Sequence, residues 1–112
     1  MTSEEFRRMA RSLAGVLEGA HMDHPDFRVG GRIFATLSPG EKHGVVMLTP
    51  AEQKQFIVAA PAMFSPAKGG WGRSGSTEVD LEAVDAGTLR KAMIAAWRRR
   101  APKNLLPDHA HE

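Results

Sequence analysis

Apolar side chains recur at helical spacing near both ends of the chain. In residues 3–17 they form one stripe, which consists of Phe6, Met9, Ala10, Leu13, Val16 and Leu17. Thr2 and Glu5 before it have the spacing of a capping box. In residues 86–100, which follow the predicted N-cap Asp85, a second stripe consists of Leu89, Ala92, Met93, Ala96 and Trp97. The pattern predicts two amphipathic helices, each of which needs an apolar surface to cover.

Shorter segments between these helices have the composition of strands. The predicted strands are residues 26–29, 32–37, 45–48 and 77–81, and the first two are separated by the tight turn Gly30-Gly31. The connections among the first three strands are too short for a parallel crossover, which predicts an antiparallel meander. A further helix is expected from Thr49, with Pro50 at its first position and Pro61 after its end.

Residues 61–76 have no regular pattern, and their four glycines and two prolines argue against a helix there. The element order then predicts an α+β protein, a two-layer sandwich with its helices packed on one face of an antiparallel sheet. We expect a single domain over residues 1–106 and a flexible tail over residues 107–112.

Composition narrows the classes of function. The chain has 112 residues, a formal net charge of +2 and no cysteine, which excludes disulfides, thiolate zinc sites and cysteine nucleophiles. Residues 4–11 are too charged for a secretory signal, and the apolar stretch 56–64 is too short to span a membrane. We therefore expect a cytoplasmic protein that does not bind membranes, and we favour a monomer.

Three segments resemble the signatures of the MmcQ/YjbR family. They are residues 24–37 (His-Pro-Asp-Phe-Arg-Val-Gly-Gly-Arg-Ile-Phe-Ala-Thr-Leu), residues 66–72 (Pro-Ala-Lys-Gly-Gly-Trp-Gly) and the closing helix with Ala96-Trp97. The resemblance implies a CyaY-like fold, with helices on one face of an antiparallel sheet. It also implies a proposed DNA-binding role through β-hairpin wings.

Two glycine-bearing segments carry the candidate binding residues. Lys68, Trp71 and Arg73 combine cations with an aromatic ring, which suits phosphates and a stacked base. Arg28 and Arg32 flank the Gly30-Gly31 turn, from which both could reach a phosphate backbone. The alternatives are that Trp71 anchors its loop to the core and that the arginines are solvated charges.

Catalytic and metal chemistry have little support in the sequence. No nucleophile elbow, metalloprotease motif or nucleotide-binding glycine motif is present. The residues His21, Asp23, His24 and Asp26 invite a metal interpretation, but a second ligand cluster is missing outside His109 and His111. Unlike the acidic first helix of the frataxin-like proteins that share this fold type, the first helix here carries Arg7, Arg8 and Arg11. We therefore expect no enzyme activity, no cofactor and no metal site.

The leading functional hypothesis is a small module that binds DNA with low sequence specificity. The alternative is a non-catalytic accessory domain that binds a protein or a small anionic ligand. The cluster Arg98-Arg99-Arg100 is expected to be a solvated helix end and not a binding patch, and the case for binding is stronger if Lys91 lies on the same face.

Overall fold

In the part of the chain that the structure describes, six antiparallel strands form one sheet. The structure, a computed structural model, describes residues 1–21, 24–38, 40 and 42–106. Its elements along the chain are α1 (Ser3–Arg11), β1 (Val16–His21), β2 (His24–Val29), β3 (Arg32–Leu37), β4 (His43–Met47), α2 (Pro50–Ala59), β5 (Phe64–Pro66), α3 (Gly69–Arg73), β6 (Ser76–Asp80), α4 (Ala86–Arg100) and a 3-10 turn (Lys103–Leu105). The strand order in the sheet is β1-β2-β3-β4-β6-β5. The predicted α+β class is confirmed, and so is the predicted antiparallel meander, which corresponds to β2-β3-β4.

One face of the sheet carries the core. The register places Phe27, Ala35, Val46 and Thr77 side by side across four strands, and all four side chains are buried. Phe6 of α1 stacks at a tilt on Phe27, with ring centroids 6.0 Å apart. The apolar stripe of α4 joins the same core through Leu89, Ala92, Met93, Ala96 and Trp97. The predicted packing of the first and last helices on one face is therefore confirmed.

The helix termini follow the predicted chemistry. Thr2 and Glu5 form the capping box of α1, and Thr49 and Glu52 form that of α2. The Asp85 carboxylate accepts hydrogen bonds from the backbone N–H and the hydroxyl of Thr88, which lowers the pKa of Asp85. These caps fix where α1, α2 and α4 begin.

The predicted extent of the first helix, residues 3–17, is wrong. α1 ends at Arg11, and the following turn contains Gly15 with φ +72°, a conformation that glycine adopts without strain. Val16 and Leu17 then begin the edge strand β1, where they pair with Val29 and Arg28. The prediction was too long because Val16 and Leu17, which belong to an edge strand, also fit the helical spacing of the apolar stripe.

The expectation that residues 61–76 contain no helix is also wrong, and part of this segment is a strand. Phe64 to Pro66 form β5, which pairs with β6, and Gly69–Arg73 form the one-turn helix α3. Gly72 is required in this helix, because a Cβ there would lie 1.9 Å from the Ala67 carbonyl oxygen. Close packing of backbone on backbone overrides the weak helix propensity of glycine here.

The β2–β3 hairpin closes through the predicted Gly30-Gly31 turn. Both glycines have positive φ, +59° and +79°, which is the conformation of a two-residue type I′ turn. Gly30 packs on Pro102, and a Cβ at position 30 would lie 2.8 Å from its ring. The tip of the hairpin is thereby held beside the C-terminal end of α4.

Candidate functional site

The second face of the sheet, here called the open face, carries polar and small apolar side chains. A row of paired residues crosses it from Asp26 through Thr36 and Val45 to Glu78. This row alternates with the buried row, so its side chains point away from α1 and α4. The floor of any binding site on the open face is therefore formed by strand residues, whose side chains the sheet holds at fixed positions.

A cavity of about 510 Å³ on the open face brings cations and an aromatic ring together. Arg28, Arg32, Arg100 and Trp71 line it, together with Gly31, Ile33, Thr36 and Met47. Its volume lies within the range of pockets that hold small ligands. We call this space the arginine cavity.

A neighbouring cavity of about 380 Å³ continues along the same face. It shares Thr36, Met47 and Trp71 with the arginine cavity and adds Lys68, with Val45, Ala67, Ser76 and Glu78. Four predicted residues, Arg28, Arg32, Lys68 and Trp71, thus lie around two adjoining cavities. Arg73, the fifth, is exposed on α3 and lines neither of them.

Trp71 is not a core anchor. Its side chain is 74% exposed, and it lines both cavities on the open face. The buried tryptophan is Trp97, whose indole N–H donates to the Ala14 carbonyl oxygen at 2.9 Å. The interpretation of Trp71 as the residue that fixes its loop in the core is therefore wrong.

The segment that carries Trp71 is held in place by Gln53 and not by Trp71 itself. The side-chain N–H groups of Gln53 donate to the carbonyl oxygens of Gly72 at 2.8 Å and of Ser76 at 3.0 Å. Gly75 adds a close backbone contact, since a Cβ there would lie 1.9 Å from the Leu48 carbonyl oxygen. The sequence gives no signal for the role of Gln53, because its partners lie 19 and 23 residues further along the chain. With the loop held in this way, the Trp71 ring is free to project over the open face.

Arg28 is an ion-pair partner and not a solvated charge. Its Nε and one terminal nitrogen donate to the two carboxylate oxygens of Asp26 at 2.9 and 3.1 Å. Asp26 is only 1% exposed, and this hydrogen bonding raises the pKa of Arg28. Gly19 makes room for the carboxylate, because a Cβ there would lie 3.0 Å from Asp26 Oδ1. The interpretation of Arg28 as a solvated charge is therefore wrong.

Arg100 belongs to the site, although the sequence indicated only a solvated helix end. The contact between Gly30 and Pro102 brings the end of α4 to the hairpin, so that Arg100 lines the arginine cavity beside Arg32. The signal in the sequence was Pro102, two residues after Arg100, because a proline there prevents α4 from continuing.

The rest of the basic cluster faces elsewhere. Arg98 and Arg99 line a separate cavity of about 540 Å³ between α2 and α4, and Lys91 lies on the same face. Arg99 also donates to the carbonyl oxygens of Leu48 and Met47. The three consecutive arginines therefore serve two different surfaces.

The candidate metal ligands do not form a cluster in the described part of the chain. Within it, no three His, Asp or Glu side chains come together in a geometry that could hold an ion. Asp26 is engaged by Arg28, while Asp23, His109 and His111 lie outside the described residues. The carboxylate of Asp26 is therefore not available as a free ligand.

Comparison with known protein families shows to which family this chain belongs. A model of the YjbR family matches residues 11–99. The chain belongs to the YjbR family. The matched region contains Arg28, Arg32, Lys68 and Trp71, whereas Arg100 follows directly after it. The predicted family is thereby confirmed.

A solved structure of the same kind supports the fold of this YjbR protein. It is the crystal structure of the Deinococcus radiodurans protein DR2400, which carries a DUF419 domain. The two structures align with a TM-score of 0.75 and 18% sequence identity, over 96% of this chain and 83% of the other. This similarity is one of fold. A comparison with curated proteins finds no match, and no helix in the described residues is long and apolar enough to cross a membrane.

Proposed function

We propose that this YjbR protein is a non-catalytic module that binds nucleic acid on its open face. The observation that carries the proposal is the arginine cavity, where an exposed tryptophan lies among Arg28, Arg32 and Arg100. Guanidinium groups suit phosphate oxygens, and an exposed indole suits a base or sugar. Lys68 adds a cation at the other end of the same surface.

The proposed binding has low sequence specificity. Arg28 is held by Asp26 in a fixed orientation, while Arg32 and Lys68 are exposed side chains that can follow a phosphate backbone. Contacts to phosphate position a nucleic acid without reading its bases. We place this role in the cytoplasm and assign it to the monomer, with DNA as the partner that the family resemblance favours.

A salt titration of binding tests the proposal. Fluorescence anisotropy of labelled DNA should show an affinity that falls linearly on a plot of log affinity against log salt. Substituting both Arg32 and Lys68 by alanine should reduce the steepness of that plot by roughly one unit for each lost phosphate contact.

The double variant Arg8→Ala/Arg90→Ala is a matched control. Both arginines are exposed and line a cavity between α1 and α4, on the helical side of the protein. The control variant removes two positive charges, as does the variant that lacks Arg32 and Lys68. Weaker binding in the Arg32/Lys68 variant together with unchanged binding in the control would locate the interaction on the open face. Equal loss in both variants, or no binding of the native protein at low salt, would contradict the proposal.

The alternative function, binding of a small anionic ligand, is favoured by the size of the arginine cavity alone. It predicts that a mononucleotide or inorganic phosphate saturates the protein and that an oligonucleotide binds no more tightly. The same anisotropy assay, with these compounds as competitors, distinguishes the two functions.

A further inference from the structure

The three arginines that line the arginine cavity differ in how they are paired. Arg28 is neutralised by Asp26, but within the described residues neither Arg32 nor Arg100 has an ion-pair partner. The Nε of Arg100 is shielded from solvent and has no hydrogen-bond partner there. Burial lowers the pKa of Arg100, and the neighbouring cations Arg99 and Arg32 lower it further. A bound anion would supply the counter-charge that Arg32 and Arg100 lack in the described residues.

The floor beside these cations is apolar. Ile33 and Met47 line the arginine cavity with Trp71, and Val45 continues the floor under Lys68. All three aliphatic side chains are partly accessible, and the indole is mostly exposed. A phosphate backbone alone would not make favourable apolar contacts with these side chains. The apolar floor therefore indicates a ligand that has a flat, weakly polar face as well as a negative charge.

An unpaired nucleotide has both properties, whereas a duplex offers only one of them. In a duplex the faces of the bases are stacked on each other, and a protein reaches phosphates, sugars and base edges. In a single strand each base can turn outwards and stack on an aromatic ring. Trp71 lines both cavities, so a strand that crosses the open face would pass the indole on its way from Arg32 and Arg100 to Lys68.

We propose that the open face is a site for single-stranded nucleic acid, with an unpaired base against Trp71 and an adjacent phosphate between Arg32 and Arg100. This inference rests on the proposed function and names its substrate class. The chemistry is shared by single-stranded DNA and RNA, because neither the indole nor a guanidinium requires or excludes a 2′-hydroxyl.

The test compares four labelled probes by anisotropy: a thymidine oligonucleotide, the matching uridine oligonucleotide, a duplex of equal length and an abasic strand. The single strands should bind roughly tenfold more tightly than the duplex or the abasic strand. The variant Trp71→Ala should lose this advantage, and Trp71→Phe should keep most of it. Tighter binding of one single strand than of the other would identify DNA or RNA as the source of the ligand.

Separate variants test the proposed phosphate position between Arg32 and Arg100. Arg32→Ala should weaken binding of the single strands and reduce the steepness of the salt plot by roughly 0.7, the value for one phosphate contact to a single strand. Arg100→Gln should have the same effect, while Arg90→Ala should not. Because Arg32 is exposed, its variant remains informative if Arg100→Gln lowers stability.

The outcomes separate this inference from the proposed function. If the duplex binds as tightly as the single strands, and Trp71→Ala changes nothing, the single-strand inference is wrong while nucleic-acid binding stands. If the abasic strand binds as tightly as the thymidine strand, stacking on Trp71 is likewise refuted. If no probe binds, both the inference and the proposed function are wrong.

Discussion

The guanidinium of Arg28 holds the buried carboxylate of Asp26 through two hydrogen bonds, Nε to Oδ1 at 2.9 Å and a terminal nitrogen to Oδ2 at 3.1 Å. Asp26 and Arg28 are two residues apart on β2, so both side chains lie on the open face of the sheet. The pair therefore forms part of the cavity wall and also contributes to the fold, because a buried carboxylate is costly without a partner.

Removing Arg28 should destabilise the protein. The variant Arg28→Ala leaves the Asp26 carboxylate buried and without its bidentate partner, so the thermal midpoint should fall by several degrees. Arg32→Ala on the same hairpin removes an exposed cation and should leave the midpoint nearly unchanged. Thermal unfolding followed by circular dichroism measures both. Equal midpoints for the two variants would show that the ion pair has no structural role.

The two tryptophans should differ sharply in their effect on stability. Trp97→Ala removes a buried indole and its hydrogen bond to Ala14, and should cost about 3–5 kcal/mol of unfolding free energy. Trp71→Ala removes a side chain that is mostly exposed, and should change the unfolding free energy by about 0.5 kcal/mol or less. Denaturation by urea measures both values. A large loss in the Trp71 variant would restore the interpretation of that residue as an anchor.

The elements of the fold can be predicted from the sequence where capping or turn residues and the periodicity of apolar residues point to the same element. Asp85 and the apolar stripe of α4 point to the same helix, and Gly30-Gly31 points to a tight turn between two strands. The predicted first helix wrongly includes residues 12–17, because the apolar positions in this segment fit a helix and a strand alike. The decisive feature was Gly15, whose positive φ is a property of the folded chain.

The candidate site was accessible in part. Arg28, Arg32, Lys68 and Trp71 stand out in the sequence because cations and an aromatic ring accompany paired glycines. The contribution of Arg100 depends on a tertiary contact, the packing of Gly30 on Pro102, which joins positions 72 residues apart. The pairing of Arg28 with Asp26 was missed for a different reason, since it depends on the burial of a single carboxylate.

Substitution by alanine should affect the stability of the protein differently at two glycines of α3. Gly72→Ala places a Cβ against the Ala67 carbonyl and should cost about 1–3 kcal/mol of unfolding free energy. At Gly70 the nearest atom to a new Cβ is 3.9 Å away, in the Arg73 side chain, so Gly70→Ala should be neutral or slightly stabilising. Urea denaturation of the two variants is the measurement. Similar free energies would show that α3 is not packed as described.

The cap of α4 predicts a change of stability with pH. Hydrogen bonds from Thr88 lower the pKa of Asp85 below its ordinary value of 3.8. The stabilisation is therefore complete above that ordinary value and is lost as the pH falls through the lower pKa of the folded state. Asp85→Asn keeps a capping side chain but has no proton to gain, so its thermal midpoint should fall less between about pH 5 and pH 2. Parallel pH profiles for the native protein and the variant would contradict the assignment.

The most direct test of the open face as a binding surface uses the two indole N–H signals of the protein in a ¹⁵N correlation spectrum. Trp71 lies on the open face and Trp97 in the core, so the two signals report on the proposed site and on a matched interior position. On titration with a thymidine oligonucleotide at low salt, the Trp71 signal should shift or broaden progressively to saturation, while the Trp97 signal stays in place. If the Trp71 signal does not move while the oligonucleotide binds, or if nothing binds at low salt, the open face is not the nucleic-acid site of this protein.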